Sequence, residues 1–255
     1  MKTKPFMGTR NSWTMVKRSV RHELRSVDAL AMSIILPVML LVLFTTIFGG
    51  AIATGTEYIN YVIPGIFMLC LSFGTAGAAV SVASDSVKGV IDRFRSMPVN
   101  SVSVLTGHVI ASVLRNTVAM IIVSVLAIAV GFRPNATALE WLGVFGILWL
   151  LMLAFTWAAV AFGLFVKSIE AAGSFMFTTM ILPYLSSGFV LVSTLPAWIQ
   201  GFANNQPINH AIEAIRALLI GGEVGDHAWI AAVWSIAITA VMYAIARMLF
   251  RRQMA

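Results

Sequence analysis

Apolar residues come in blocks of membrane length along this chain, separated by short polar breaks, and the pattern predicts an all-α polytopic membrane protein with six transmembrane helices. The blocks lie at about 29–48, 58–82, 109–130, 139–166, 171–192 and 228–250. Each is close to the length a helix needs to cross a hydrocarbon core of about 30 Å. Pro37 interrupts the first block and Gly49-Gly50 closes it; Pro64-Gly65 lies near the start of the second; Pro183-Tyr184 and Ser186-Ser187-Gly188 break the fifth. In the second block Gly74, Gly77, Ala78 and Ala79 form a smooth surface that another helix backbone can approach closely. Ser72 and Thr75 on the same block either line a path or bond back to their own backbone.

The polar stretches are patterned too. In residues 12–28, Trp13, Val16, Val20 and Leu24 recur at helical spacing with Lys17, Arg18, Arg21, Glu23 and Arg25 between them. That suits a helix lying on the membrane surface with its apolar side down. Residues 86–99, SVKGVIDRFRSMPV, are an island of mixed charge between two blocks and predict a short helix closed by Pro98. Residues 193–227 are too polar to span. Pro196 to Phe202 predicts one short helix there, and Pro207 starts another with Ile208, Ile212, Ile215 and Leu219 along one face. The pair is expected to dip into the outer leaflet and return. The domain plan is therefore a segment 1–28, a membrane domain 29–250 and a tail 251–255. Ala51-Ile52-Ala53 resembles a signal-peptidase site, but the basic leader and first apolar block are both too long for a signal peptide, and a retained span is expected.

Composition sharpens this reading. Hydrophobic residues make up 59% of the chain and charged residues 11%, whereas about a quarter of a soluble domain is charged. The net charge of +7 is not a nucleic-acid signal, because the basic residues sit at block ends. Lys2, Lys4, Arg10, Lys17, Arg18, Arg21, Arg25, Lys88, Arg93, Arg95, Lys167, Arg247, Arg251 and Arg252 fall on one side of a six-span topology, and only Arg133 and Arg216 on the other. Basic loops face the cytoplasm, which predicts both termini inside; the expected location is a plasma membrane, the bacterial cytoplasmic (inner) one. Arg115 stands within the third block, where it either snorkels to the interface or pairs in the structure.

Little here points to chemistry. No GxxxxGK[ST] phosphate loop and no HExxH occur, His22, His108, His210 and His227 are scattered, and Cys70 is the lone cysteine, expected to pack. No enzyme, cofactor or metal site is expected. An ion-coupled carrier usually buries acids in its spans; here the acids fall in loops or at span ends, so the chain shows no energy source of its own.

Six spans with a surface helix before the first, a charged helix between the second and third, and a re-entrant pair before the sixth resemble the type-2 ABC export permeases. The stretch from Lys88 to Val99 is similar to the coupling motif of their daunorubicin/doxorubicin-resistance subgroup. Phe48-Gly49-Gly50, Pro64-Gly65, Leu195-Pro196-Ala197-Trp198 and Pro207-Ile208-Asn209-His210 add to the likeness; Gln206 departs from it, standing where Asn is commoner. The resemblance implies a multidrug exporter subunit for amphipathic drug-like or lipid-like molecules, with polysaccharide or lipid-linked glycan as the alternative cargo and an ion-coupled carrier as the alternative of another class. It implies two permease copies, or two related chains, and two ABC ATPase subunits that hold ATP-Mg. Lys88, Gly89, Val90, Asp92, Arg93, Phe94, Arg95, Met97 and Pro98 would couple to the ATPase, and Trp13, Lys17, Arg21 and Glu23 would carry the interface helix. Ser72, Gly74, Thr75, Gly77, Ala78, Tyr184, Ser187 and Gly188 are expected to line the substrate path or dimer seam.

Overall fold

The computed structural model describes residues 27–52, 56–89 and 101–254, and they are all-helical, with no strand among them. Helix α1 (Val27–Leu43) runs through Pro37 and ends in a π-helical turn, Phe44–Phe48. It is followed by α2 (Tyr58–Val87), α3 (Ser101–Val130) and α4 (Ala138–Phe165). Then come two short helices, α5 (Ile169–Gly173) and α6 (Phe175–Tyr184), the pair α7 (Ala197–Asn205) and α8 (Pro207–Ile220), and a long α9 (His227–Met254). Among the described residues four helices, α2, α3, α4 and α9, are long and apolar enough to cross a membrane; the apolar stretch Ser33–Phe48 is shorter.

Helix α2 is the axis of the molecule. Its most apolar stretch is 78% buried, against 11% for α9, and it packs against α1, α3, α4, α5, α6 and α8. The core has two parts. One, towards the start of α2, joins Tyr61, Phe67 and Leu71 to Met120, Leu148, Leu151, Phe189, Ile212 and Ile215. The other, towards its end, joins Ala78, Ala79 and Val82 to Leu105, Trp157, Val160, Leu164, Phe175 and Phe250.

Several expected boundaries move. Helix α2 continues past 82 to Val87, and α3 begins at Ser101, two turns before the apolar block. Asp85 and His108, polar residues read as block ends, fall inside these helices and pair across them. The fifth block is not one helix over 171–192. It breaks between Gly173 and Ser174, and its second part stops at Tyr184, after Pro183. The last carbonyls of a helix have no partner in its own ladder, and here Gln206 supplies one by donating to Leu185 O and, at 3.2 Å, to Leu182 O. The island at 86–99 opens inside α2, whose last residues are Ser86 and Val87; Lys88 and Gly89 then form a turn with Gly89 at φ +65°, a backbone state that favours glycine, and the rest of the island lies outside the described residues.

The connection 131–137 between α3 and α4 is anchored to the rest of the fold. Phe132 is fully buried, Asn135 N–H donates to Leu219 O at 2.9 Å, and Arg133 N–H donates to Asn60 Oδ1 at 3.1 Å. Thr137 and Glu140 then form a capping box that starts α4.

Candidate functional site

Three assemblies of polar side chains interrupt the apolar packing. The first lies on the small-residue face of α2. Side chains of α3 fill the room left by its glycines: a Cβ on Gly74 would collide with the Asn116 amide, and one on Gly77 would lie 2.6 Å from Arg115 Nη2. Arg115 is 2% exposed, and its Nη2 donates to Gly74 O at 2.6 Å. It therefore turns into the bundle and does not snorkel. The amide of Asn116 and the hydroxyl of Ser112, one turn earlier, are buried with no hydrogen-bond partner among the described residues. Further along, Gly163 of α4 lets Ala79 O approach to 2.5 Å of where its Cβ would stand. Ser72 and Thr75 bond back to Met68 O and Leu71 O, both at 2.9 Å. Ala78 is buried in the second core cluster. Within the chain, Gly74 and Gly77 thus face side chains of α3, Ser72 and Thr75 bond to their own helix, and Ala78 faces the core.

The second assembly is at the other end of α2 and α3, next to residues 90–100. His108 Nε2 lies 3.1 Å from Asp85 Oδ2, and its Nδ1 lies 3.4 Å from Ser81 Oγ. One imidazole thus ties the last turns of α2 to the first turns of α3. Ser86 Oγ donates to Gln253 Oε1 at 3.4 Å, and Gln253 Nε2 donates to Leu164 O at 2.9 Å, adding α9 and α4 to the tie. Lys88 is exposed just beyond it. The remaining coupling residues, Val90, Asp92, Arg93, Phe94, Arg95, Met97 and Pro98, lie outside the described residues, as do Trp13, Lys17, Arg21 and Glu23 of the interface helix.

The third assembly surrounds a cavity of ≈ 550 Å³ between α2, α8 and the turn after α6, lined by Tyr61, Ser187, Asn209, Glu213, Arg216 and His227, among others. Arg216 organises it. The guanidinium lies 3.9 Å from the Tyr61 ring centre and pairs through Nη1 with Glu213 at 2.8 Å. It also donates to Tyr61 O and Ser187 O. Asn209 Oδ1 accepts from Ser187 N–H at 2.8 Å. Gly65 and Gly188 cross backbone to backbone, a Cβ on Gly65 falling 2.5 Å from Gly188 O. Tyr184 stacks on Phe189 at 4.7 Å. Of the expected path residues, the structure brings Ser187 to this cavity, while Gly188 and Tyr184 pack beside it. Sequence reasoning missed Arg216 and Tyr61: both carry helical spacing, but nothing in spacing shows that they face one another across 155 residues.

Beside the cavity, His210 Nδ1 lies 2.9 Å from His227 Nδ1, so one ring donates, the other accepts, and at least one is neutral. Burial first, and His227 second, hold the His210 imidazole below its ordinary value of 6.5, against an opposing pull from Glu213. A base with a lowered folded value contributes stability that is complete above its unfolded value and is lost as pH falls through the folded one. The melting temperature is therefore expected to fall as pH drops below about 6.5. His210→Gln should flatten that dependence, measured by thermal unfolding in detergent from pH about 7.5 to about 5.5; an unchanged profile would remove His210 as its source.

Two tryptophans are settled by packing. Trp157 is buried edge-on against Tyr243 at 5.0 Å, and Trp149 donates to Thr117 Oγ1 at 3.1 Å. Cys70 is buried, and its thiol donates to Ser33 O at 3.3 Å.

Residues 10–220 match the ABC-2 type transporter family. The chain is 32% identical over 190 residues to the daunorubicin resistance ABC transporter permease protein DrrB1 of Streptomyces coeruleorubidus, covering 74% of this chain and 67% of that protein. It is 26% identical over 180 residues to the doxorubicin resistance ABC transporter permease protein DrrB of Mycobacterium tuberculosis, covering 67% and 59%. It is 27% identical over 195 residues to the inner membrane transport permease YadH of Escherichia coli, covering 72% and 74%. With four membrane-length helices and a match over most of its length, this chain belongs to the ABC-2 type transporter family and is a multi-pass membrane permease.

Proposed function

We propose that the chain is the membrane subunit of an ATP-driven exporter that moves amphipathic drug-like or lipid-like molecules out of a bacterial cell. It crosses the cytoplasmic membrane six times, through α1 with its π turn, α2, α3, α4, the broken α5–α6 segment and α9. Helices α7 and α8 re-enter from the outer side, and both termini are cytoplasmic. Two copies, or this chain and a related permease, assemble over two ABC ATPase subunits, which hold the ATP-Mg that powers transport. The names of the two drug-resistance relatives support the cargo class. The distribution of Lys and Arg supports the orientation.

The observation that carries this reading is the tie at the base of α2 and α3. Ser81, Asp85 and His108 join the helices that flank residues 90–100. A charged segment mounted on two tied helices transmits a push into the membrane; a segment on two independent helices would swing. In that segment Val90 and Phe94 are four apart in sequence, the spacing that on a helix would give a small apolar face suited to a pocket on the ATPase.

Phe94→Ala should reach the membrane yet lose its ATPase, weakening the complex by about 2 kcal/mol as for a buried aromatic anchor. Pull-down of the ATPase and cargo-stimulated hydrolysis measure it together; wild-type values for both would refute the coupling role. The topology has its own check. With Cys70 replaced, an impermeant thiol reagent applied to intact cells should label a cysteine placed at Asn204 and leave one at Ser96 untouched. Labelling at Ser96 would reverse the orientation.

A further inference from the structure

We propose that the end of α9 carries a binding site for an anionic phospholipid, seated in a groove between Tyr243, Ala244, Arg247, Met248, Arg251 and Arg252. The groove is a shallow, open depression of ≈ 560 Å³ on one face of α9. Two helical stripes make it, 243–247–251 and 244–248–252, each stepping four residues along one side of the helix. The small Ala244 between Tyr243 and Met248 leaves an apolar floor, and the three arginines form the rim. All three are exposed, and no acidic side chain among the described residues pairs with any of them; α9 itself contains no Asp or Glu.

The opposite side of the same helix end is fully used. Ala246 and Phe250 are buried in the second core cluster and Gln253 is tied to α4 and α2, while Tyr243, at the edge between the two sides, is held edge-on by Trp157. The groove is thus on a fixed frame and turned away from the bundle, on the helix whose membrane-length stretch is the least covered of the four. Its chemistry selects the occupant. Guanidinium forks bind phosphate oxygens two at a time, and an apolar floor directly next to them suits the glycerol and first methylenes of a lipid more than a free phosphate ion. Basic pockets at helix ends are where anionic headgroups bind. The proposal needs only that α9 crosses the membrane, whichever side its basic end faces, so its failure would leave the exporter reading intact.

The test uses the purified full chain in detergent with equal amounts of phosphatidylglycerol and phosphatidylcholine, and counts retained lipid by native mass spectrometry. Wild-type protein should retain phosphatidylglycerol in preference by roughly tenfold or more, two arginines each adding about a factor of five. Arg247→Gln with Arg251→Gln should abolish the preference, while Arg133→Gln on the outer turn should leave it unchanged. No preference in the wild type, or one that survives the double substitution, would overturn the site. A photo-crosslinking amino acid at Met248, in nanodiscs of the same mixture, gives a reading that does not depend on the glutamine variant folding. It should capture phosphatidylglycerol over phosphatidylcholine; capture in proportion to abundance, or of a protein subunit in place of lipid, would overturn it equally.

Discussion

Arg216→Ala is expected to loosen the end of the molecule where α2, α8 and the turn after α6 meet and to cost about 2–4 kcal/mol, the loss for breaking a largely buried ion pair reduced for partial exposure. The guanidinium holds three elements at once. It satisfies Tyr61 O on α2 and Ser187 O after α6, neutralises Glu213 on its own helix and covers the Tyr61 ring. Alanine would leave both carbonyls without this donor, Glu213 without its cation and the Gly65–Gly188 crossing without its lateral support. Arg216→Lys should rescue less than half of the loss, since one ammonium can keep the Glu213 pair but cannot reach both carbonyls with a planar fork. Thermal unfolding of the three proteins in one detergent measures this. A wild-type melting temperature for Arg216→Ala would show that the clamp contributes nothing.

The second large effect is expected at Arg115. Arg115→Ala removes a buried side chain together with its hydrogen bond to Gly74 O, and about 2–4 kcal/mol should follow from the cavity and the lost charged bond. Gly77→Leu approaches the same contact from the other side. A Cβ there lies 2.6 Å from Arg115 Nη2, so leucine must displace the guanidinium from its place between α2 and α3. Both variants are expected to melt earlier and to lose export in everted vesicles. Gly77→Leu with wild-type stability and transport would show that the face is free.

The contrast between these two arginines shows what was legible in the sequence. Arg115 was conspicuous, a charge within an apolar block, yet spacing could not distinguish snorkelling from pairing. That choice depends on which neighbouring helix presents a glycine, and only the packing of α2 on α3 supplies Gly74 and Gly77. Arg216 looked like a solvated residue on the polar side of α8 and proved to be the hub of a cavity, because its partners are contributed by segments far away in sequence. Gln206 is similar: a departure from the family pattern along the chain, it is the donor that satisfies the end of broken α6.

The chain alone determined its class, its apolar blocks, the amphipathic face of α8 with Ile208, Ile212, Ile215 and Leu219 buried, and its family. These follow from local quantities: block length against bilayer thickness, periodicity along a helix and a contiguous motif. Tertiary structure decided where helices stop and what their polar residues do. Asp85 and His108 lie within α2 and α3 and meet across their interface, the fifth block stops at Tyr184 after Pro183, where Gln206 caps the broken end, and the small-residue face of α2 is filled by Arg115 and Asn116 of α3. In an interior without water a polar group must find its partner in the protein, and which partner it finds is a property of how the helices cross.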